Sequence, residues 1–573
     1  MDAAIQEKVD KWLSGNYDDA TKEAIRNMQT SQPDELADAF YRNLEFGTGG
    51  LRGIMGVGTN RINRYTIGMA TQGYANYLNK CFDNKASVAI AHDCRNNSAE
   101  FAGITANVFA ANGIKVYLFE SLRPTPELSF AIRHFKCQGG VVCTASHNPK
   151  EYNGYKAYWD DGAQMVPPHD NNVIVEVDKI ATVEDVKWSG GEENIIMIGK
   201  EVDTMYLDMV QSLSVYPDVC KAQHDLKIVY TPIHGTGIKL VPQALERFGF
   251  TNVHIVKEQS EPDGNFPTVI YPNPEERETM SIGLQQAKAM DADILLGTDP
   301  DADRVGVGVK NNKGEWILLN GNQTALLAFT YMMEARKAKG IAQPNDMVVK
   351  TIVTTYMIDA IAKENGVACY NVLTGFKWIA ALIKEKEGKE KYIIGGEESF
   401  GLMLGDEIRD KDAVSAVAII CEMAAYEKNK GRSLFDKLLD LYVQYGFYKE
   451  SLTSITKKGM NGAAEIAAMM EAYRNNPPKT IDGVNVDQLL DYELQQGTNL
   501  ADGTTFKIDL PKSNVLQFVL GDGTQISARP SGTEPKIKFY FSVNAPLATA
   551  ADFDATEKML DEKIARIEKE MDL

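Results

Sequence analysis

The sequence predicts an α/β protein of four domains: three similar α/β sandwich-type domains, each a mixed sheet between helices, then a C-terminal α+β domain, all around a central cleft. Three observations predict it. A pattern of strand, helix, strand, loop, helix and strand recurs three times along the chain. Each copy closes with a strand that runs straight into a polar, chemically distinctive loop. After about Tyr445 the pattern gives way to apolar alternation around an Asp-Gly turn. At 573 residues the chain is also far too long for one core.

The elements follow in order. The first forty or so residues read as helices packed on the first domain. MDAAIQEKVDKWL is amphipathic with early acids and lacks the basic start and apolar core of a signal peptide. The first copy opens with SVAIAHDCRNNS from Ser87, returns through NGIKVYLF from Asn112 and RPTP at Arg123, and ends with GGVVCTASHNP from Gly139. The second runs from LKIVYTPIHGTG at Leu226 through FGFTNVHIV at Phe248 and EPDGNFP at Glu261 to ADILLGTDPDADR at Ala292. The third runs from MVVKTIVTTYMI at Met347 through NGVACYNVL at Asn365 and TGFKW at Thr374 to KYIIGGEESFG at Lys391. Strands alternating with helices of this length form βαβ units, and ligands bind beyond the carboxyl ends of such strands. Domains 1–220, 221–330 and 331–450 are therefore expected to offer one loop each to a shared cleft. In the fourth, 451–573, a polar helical stretch passes through NNPPKT. Paired strands NVLQFVL, TQISARPSGTEP and KIKFYFSV follow, and a last helix over 554–571.

Composition removes whole classes of function. A formal net charge of −19 argues against nucleic acid or an anionic membrane as partner, and leaves room for a small anionic substrate in a local basic pocket. The longest apolar stretch, 414–425, is short and contains Glu422, so no membrane span is expected. Seven scattered cysteines without a C-x-x-C spacing read as reduced thiols of a cytoplasmic protein.

Four loops carry chemistry. In TDPDADR, Asp299, Asp301 and Asp303 alternate in a tight turn and can converge on a hard cation such as Mg²⁺ or Ca²⁺; without one they repel each other or stand hydrated. The turn is no EF-hand, because Arg304 takes the sixth position and Lys310 the twelfth. Ser146 follows a short apolar strand, with His147 and Lys156 as local bases for an otherwise weak nucleophile. Phosphorylated, it would supply the oxygen that a three-aspartate metal site lacks. In RPSGTEPK, Arg529, Ser531, Gly532, Thr533 and Lys536 make a phosphate cradle, where a capped turn would explain the Gly and Pro but not the flanking cations. Glu397 and Ser399 end the third-domain strand and suit sugar hydroxyls as well as they suit a solvated turn. GTGGLRG, with Arg52, is Gly-rich but is no dinucleotide fingerprint.

Taken together, TASHNP at 144–149, DPDADR at 299–304, GEES at 396–399 and RPSGTEPK at 529–536 resemble the α-D-phosphohexomutase family, the phosphoglucomutases and phosphomannomutases. They occur in family order, one per domain. FGTGGLRG, TGFKW and IRDKDAV look more like the phosphoglucomutase branch. The resemblance implies a phosphoserine at Ser146, Mg²⁺ held by Ser146, Asp299, Asp301 and Asp303, and glucose 1,6-bisphosphate as intermediate and activator. It implies support of the phosphoserine loop by Arg52, proton transfer by His147 or Lys156, and an offset to the acids from Arg304. Sugar contacts fall to Thr374, Gly375, Lys377, Glu397 and Ser399, and the non-transferred phosphate to Arg529, Ser531, Gly532, Thr533 and Lys536. The partners implied are small sugar phosphates, for a monomer or weak dimer. One departure stands out: Glu407 occupies the place of a His found in some phosphoglucomutases, which leaves mannose or pentose phosphates open as substrates. Two rivals compete. An aspartate-nucleophile phosphatase using Asp299 would leave Ser146 unexplained, and a binding protein that lost turnover would be expected to carry a broken serine or metal loop.

Overall fold

The computed structural model describes residues 2–47, 49–457, 462–531 and 536–573. They form two compact units, Met1–Gly321 with Phe376–Gly431, and Asn322–Gly375 with Arg432–Leu573. Residues of the expected third domain fall in both.

The first forty residues are the expected helices, α1 (Ala3–Ser14), α2 (Asp19–Ser31) and α3 (Pro33–Phe40). Asp2 and Asp18 cap the first two by accepting from Ala4 N and Thr21 N, which satisfies donors a helix start leaves open. Their apolar faces bury Val9, Trp12, Ile25, Leu36 and Phe40 against Tyr65 and Val183.

Next come β1 (Gly50–Ile54), α4 (Arg64–Cys81), β2 (Ser87–His92), α5 (Ser98–Ala111), β3 (Lys115–Phe119), α6 (Thr125–His134), β4 (Gly139–Cys143), β5 (Tyr152–Trp159), α7 (His169–Val177) and β6 (Ile195–Ile198). The six strands form one sheet in the order β1-β5-β4-β2-β3-β6. β2, β3, β4 and β6 pair in parallel, and β5 runs against β1 and β4. Side chains alternate between two cores. Val88, Ile90, Val141 and Tyr155 face one, while Ala89, Ala91, Val142 and Tyr158 face the other with Leu128 and Ile132 of α6. Both faces are covered, which is why these strands read as continuous apolar runs.

α8 (Lys200–Ser212) and α9 (Pro217–Ala222) lead to β7 (Ile228–Thr231), α10 (Val241–Phe248), β8 (Val253–Ile255), α11 (Ser281–Met290), β9 (Ile294–Thr298), β10 (Val305–Lys310) and β11 (Trp316–Leu319). The second sheet has the order β11-β10-β9-β7-β8, with β7, β8 and β9 parallel and β10 and β11 added as antiparallel strands.

The second unit then begins with α12 (Gly321–Ala338), β12 (Asp346–Thr351), α13 (Met357–Asn365) and β13 (Ala368–Val372), the last pairing in parallel with β12. α14 (Phe376–Lys386), β14 (Lys391–Gly396), β15 (Leu402–Leu404) and α15 (Ala413–Lys428) belong to the first unit, where β14 and β15 pair antiparallel.

The second unit closes with α16 (Leu434–Tyr445), β16 (Phe447–Thr456), α17 (Gly462–Asn475), β17 (Thr480–Ile481), β18 (Val484–Asp491), β19 (Gln496–Asn499), β20 (Thr505–Lys507), β21 (Leu516–Leu520), β22 (Gln525–Pro530), β23 (Lys536–Ala545) and α18 (Phe553–Glu570). An antiparallel sheet runs β16-β23-β22-β21-β18-β19-β20, and α17 and α18 pack on β23. The sequence predicts the last three strands but reads 451–475 as helical and places no strands over 480–507. β16 is largely polar without strict alternation and gains its stability from ten residues paired with β23, a long-range partner no local pattern reveals. No helix among the described residues is long and apolar enough to cross a membrane, and all seven cysteines are free thiols.

Candidate active site

The first unit brings three of the four motif loops together, each at the carboxyl end of a strand. β4 is wholly buried and hands the chain to Thr144, whose hydroxyl accepts from Ser146 N at 2.8 Å and donates to Asp93 Oδ2 at 2.7 Å. Ser146 is 4% exposed and sits at φ +52°, a left-handed conformation that a non-glycine residue keeps only where its surroundings enforce it. On β5, a Cβ at Gly154 would meet Thr144 O at 2.6 Å, so only glycine lets the strand run this close under the loop. Ser146 Oγ lies 3.0 Å from Asp299 Oδ2, to which it donates, and 3.1 Å from His147 Nδ1.

β9 delivers the acidic turn. Asp299, Asp301 and Asp303 are fully buried, and one carboxylate oxygen of each lies within 4.8 Å of the others. The turn closes on itself, with Asp299 Oδ1 accepting from Asp303 N and Arg304 N, both at 3.0 Å. Asp301 Oδ2 takes Lys156 Nζ at 2.7 Å and Thr125 Oγ1 at 3.0 Å. Asp303 Oδ2 takes Lys411 Nζ at 3.1 Å and Lys156 Nζ at 3.3 Å. Oδ1 of Asp301 and Oδ1 of Asp303 are buried with no hydrogen-bond partner. Buried carboxylate oxygens with nothing to accept from are costly, and a converging all-oxygen set of this size fits a small divalent cation. The residues therefore fit a metal ion.

The electrostatics divide the triad. Burial, reinforced by Asp301 and Asp303, pushes Asp299 well above the usual carboxylate range. Burial would also raise Asp303, but Lys411, Lys156 and Arg304 overcome it and hold its carboxyl well below that range. Burial works against the charge on Lys156 too, and Asp301 and Asp303 more than offset it, so the ammonium keeps its proton. Half-buried His147 is driven well below the ordinary histidine value by burial and by the cations Arg304 and Arg52, and so stands neutral.

Ser146, His147, Lys156, Asp303, Arg52, Arg304 and Lys411 line a cavity of about 250 Å³. Arg52 is on β1, with Nη1 3.4 Å from Asn148 Oδ1 of the serine loop. Arg304 pairs with Glu275 at 2.6 Å as well as facing Asp303. The Glu397 loop lies alongside: Val305 N donates to Phe400 O, and Arg304 bridges Gly401. Glu397 is 7% exposed and contributes to the electrostatics of both Arg304 and Lys411, and Ser399 is half-buried in the same turn. Lys377 stands on α14 outside the cavity lining, its Nζ 5.2 Å from the Trp378 ring; burial lowers its pKa, with Asp170 opposing. Glu407 is exposed and lines a different cleft with Arg133, His134 and Lys136, so the substitution noted in the sequence lies away from Ser146.

The remaining expected residues belong to the second unit. Thr374 and Gly375 follow β13. Arg529 lies on β22 opposite Lys538, and Ser531 N donates to Lys536 O at 2.7 Å across the loop. Gly532 and Thr533 lie outside the described residues.

Sequence reasoning passes over Lys411, Thr125, Asp93, Arg95 and Glu275. All but Glu275 stand in stretches quoted above. What the sequence does not show is the tertiary partner: Lys411 meets Asp303, and Thr125 meets Asp301.

Models of the phosphoglucomutase/phosphomannomutase α/β/α domains I, II and III match residues 43–184, 204–314 and 320–445. A phosphoglucomutase of Staphylococcus epidermidis is 37% identical over 541 residues, covering 93% of this chain and 97% of its own. One of Staphylococcus aureus is 35% identical over 549 residues, covering 95% and 97%. Among solved structures, the Paramecium phosphoglucomutase pp63/parafusin in its open form superposes with a TM-score of 0.67 at 20% identity, over 92% of this chain and 96% of that one. A putative phosphomannomutase of Thermus thermophilus gives 0.66 at 21%, over 91% and 99%. Those two share the fold. With three domain models spanning more than half of its length, and relatives above 30% identity along nearly all of it, the chain belongs to the phosphoglucomutase/phosphomannomutase family.

Proposed function

We propose that the protein is a phosphoglucomutase, interconverting glucose 1-phosphate and glucose 6-phosphate through phosphorylated Ser146 and glucose 1,6-bisphosphate. The observation that carries this reading is the setting of Ser146. A nearly buried hydroxyl in an enforced backbone conformation lies 3.0 Å from Asp299 and 3.1 Å from a neutral imidazole. In the first half-reaction the Oγ–P bond of phosphoserine breaks and a bond forms from phosphorus to the free sugar hydroxyl. That hydroxyl's proton leaves to a base, and Ser146 Oγ takes up a proton as it leaves phosphorus. His147, with Nδ1 3.1 Å from Ser146 Oγ, and Lys156, held by Asp301 and Asp303, are the two side chains placed to handle that proton. After the bisphosphate turns over, the other phosphoryl group returns to Ser146.

Asp299, Asp301 and Asp303, with the phosphorylated Ser146, would hold Mg²⁺, which when bound supplies charge neutralisation for the transferring phosphoryl group. Arg52 and Arg304 add fixed positive charge. Glu397 and Ser399, with Thr374, Gly375 and Lys377, are assigned to the sugar. Arg529, Ser531, Gly532, Thr533 and Lys536 are assigned to the phosphate that is not transferred. Seven free thiols fit a cytoplasmic setting.

The test is a coupled assay on glucose 1-phosphate, mannose 1-phosphate and ribose 1-phosphate, with Mg²⁺ and a trace of bisphosphate. Glucose 1-phosphate is expected to turn over fastest, and Ser146→Ala to abolish turnover with every sugar. Wild-type activity in Ser146→Ala, or net phosphate release in place of isomerisation, sinks the reading.

A further inference from the structure

Two loops quoted from the sequence, HDCRNNS and EPDGNFP, have no part in the steps above, yet they meet behind Ser146. Arg95 follows β2 and is 3% exposed. Its Nη1 donates to Pro149 O at 2.8 Å and Tyr152 O at 3.1 Å, and its Nη2 donates to Ser146 O at 2.6 Å and to Asn148 O. One guanidinium thus gathers four carbonyls of the reactive loop. Its Nε lies 3.2 Å from Asp93 Oδ2, and Asp93 also takes Thr144 Oγ1 and Ser98 Oγ, both at 2.7 Å. Phe266, from the second sheet domain and 2% exposed, covers the guanidinium with its ring centroid 5.0 Å from Cζ. The approach is close: a Cβ on Gly264 would fall 2.3 Å from Asn96 N, and Asn96 Nδ2 donates to Asn265 Oδ1 at 3.0 Å. Asp263 N donates to His234 O, and His234 Nε2 lies 2.9 Å from Thr268 Oγ1, so the Phe266 loop is itself tied to the domain that carries the triad.

We propose that Arg95 and Phe266 are positioning residues for phosphoryl transfer. Arg95 sets the backbone of the Ser146 loop, and Phe266 seals that clamp from water and fixes it against the metal-binding domain. The inference rests on the proposed mutase reading. Its physical basis is that Ser146 is held left-handed, a conformation that relaxes unless the surroundings over-determine it. Four carbonyls around one planar fork need arginine, because a lysine ammonium has three donors and no fixed plane.

The experiment compares wild type, Arg95→Ala, Arg95→Lys and Phe266→Leu in two measurements. One is mutase kinetics with and without millimolar guanidinium. The other is amide hydrogen exchange of residues 144–152. Arg95→Ala is expected to lose about 100-fold in kcat with KM within about 3-fold, since a displacement near 1 Å costs that much in an oriented reaction. Guanidinium is expected to restore about 10-fold of it, and Arg95→Lys to restore little. Exchange over 144–152 is expected to quicken about 10-fold in Arg95→Ala. Phe266→Leu keeps every hydrogen bond and is expected to lose several-fold in kcat at unchanged KM. Unchanged kcat in Arg95→Ala, a loss confined to KM, or unchanged exchange overturns the clamp. If Arg95→Ala does not fold, Phe266→Leu decides, and unaltered kinetics in it overturns the proposal. If wild type turns over no sugar phosphate, the mutase reading fails while the exchange arm still judges the clamp.

Discussion

The Ser146 loop and the Arg529–Lys536 loop are both expected to handle phosphate, and they are built by opposite rules. In the first, Ser146 is buried, four carbonyls of the loop are tied to Arg95, the serine hydroxyl stands between Asp299 and His147, and its backbone is held at φ +52°. The second joins two strands at a hairpin end, with Arg529 and Lys536 half-buried, Ser531 exposed and the closing bond Ser531 N to Lys536 O. A group whose bonds change must be placed to a fraction of an ångström, because misplacement raises the barrier directly. A group that holds the other end of the substrate needs charge and donors, which tolerate more movement. The two loops should therefore fail in different kinetic parameters.

The largest effect expected on the rigid side, after loss of Ser146 itself, is at Asp301. Asp301→Asn keeps the size of the side chain and removes one of the three carboxyl groups that converge on the cation site, while Lys156 loses its closer carboxylate. The expected loss is about 1,000-fold in kcat, together with weakened Mn²⁺ binding read by electron paramagnetic resonance of the free ion. A variant with normal kcat and normal Mn²⁺ affinity would remove the triad from the mechanism. At the second loop, Arg529→Gln should raise KM for glucose 1-phosphate by about 10- to 100-fold and leave kcat within a few-fold, the signature of lost uniform binding. A fall in kcat at constant KM would mean that this loop, too, positions reacting atoms, and the contrast between the loops would collapse.

The same contrast explains what can be read from the sequence. β4, β9 and β14 announce themselves as apolar runs ending in polar loops, because both faces of their sheets are covered. The acidic triad is legible because its three carboxylates are neighbours in sequence. The groups that hold them are not. Lys156 reaches Asp301 across 145 positions, and Lys411 and Thr125 reach the same acids from other domains. Lys156 is legible through its nearness to Ser146, whereas Lys411 stands in IRDKDAV, a stretch singled out for its likeness to one branch of the family and not for its lysine. Arg95 is invisible for a related reason: its acceptors are backbone carbonyls, and backbone carbonyls have no sequence signature. The missed strands β16 to β20 belong to a sheet whose strands alternate or are largely polar, so their pairing is decided by distant partners.

One further acid gives the second unit a pH dependence of its own. Glu450 lies on β16 opposite Ser542, with Lys350 and Thr355 in its electrostatic surroundings. Burial pushes its carboxyl up to about 7 from an ordinary 4.5, against the opposing pull of those hydroxyls and of Lys350, which is itself held by Asp359 at 3.0 Å. A folded-state pKa above the unfolded one means that the protonated acid is favoured by folding. The contribution is full below about pH 4.5 and is lost as pH rises through about 7. Glu450→Gln mimics the protonated form at every pH. Wild type and variant should therefore unfold alike near pH 5, and the variant should gain on the wild type up to pH 8 by on the order of 1–2 kcal/mol, read as a widening gap in Tm. Other titrating groups cancel in that difference. A gap that stays flat with pH, or that narrows, would mean that Glu450 is ionised in the folded protein and that Lys350 rather than burial sets its charge.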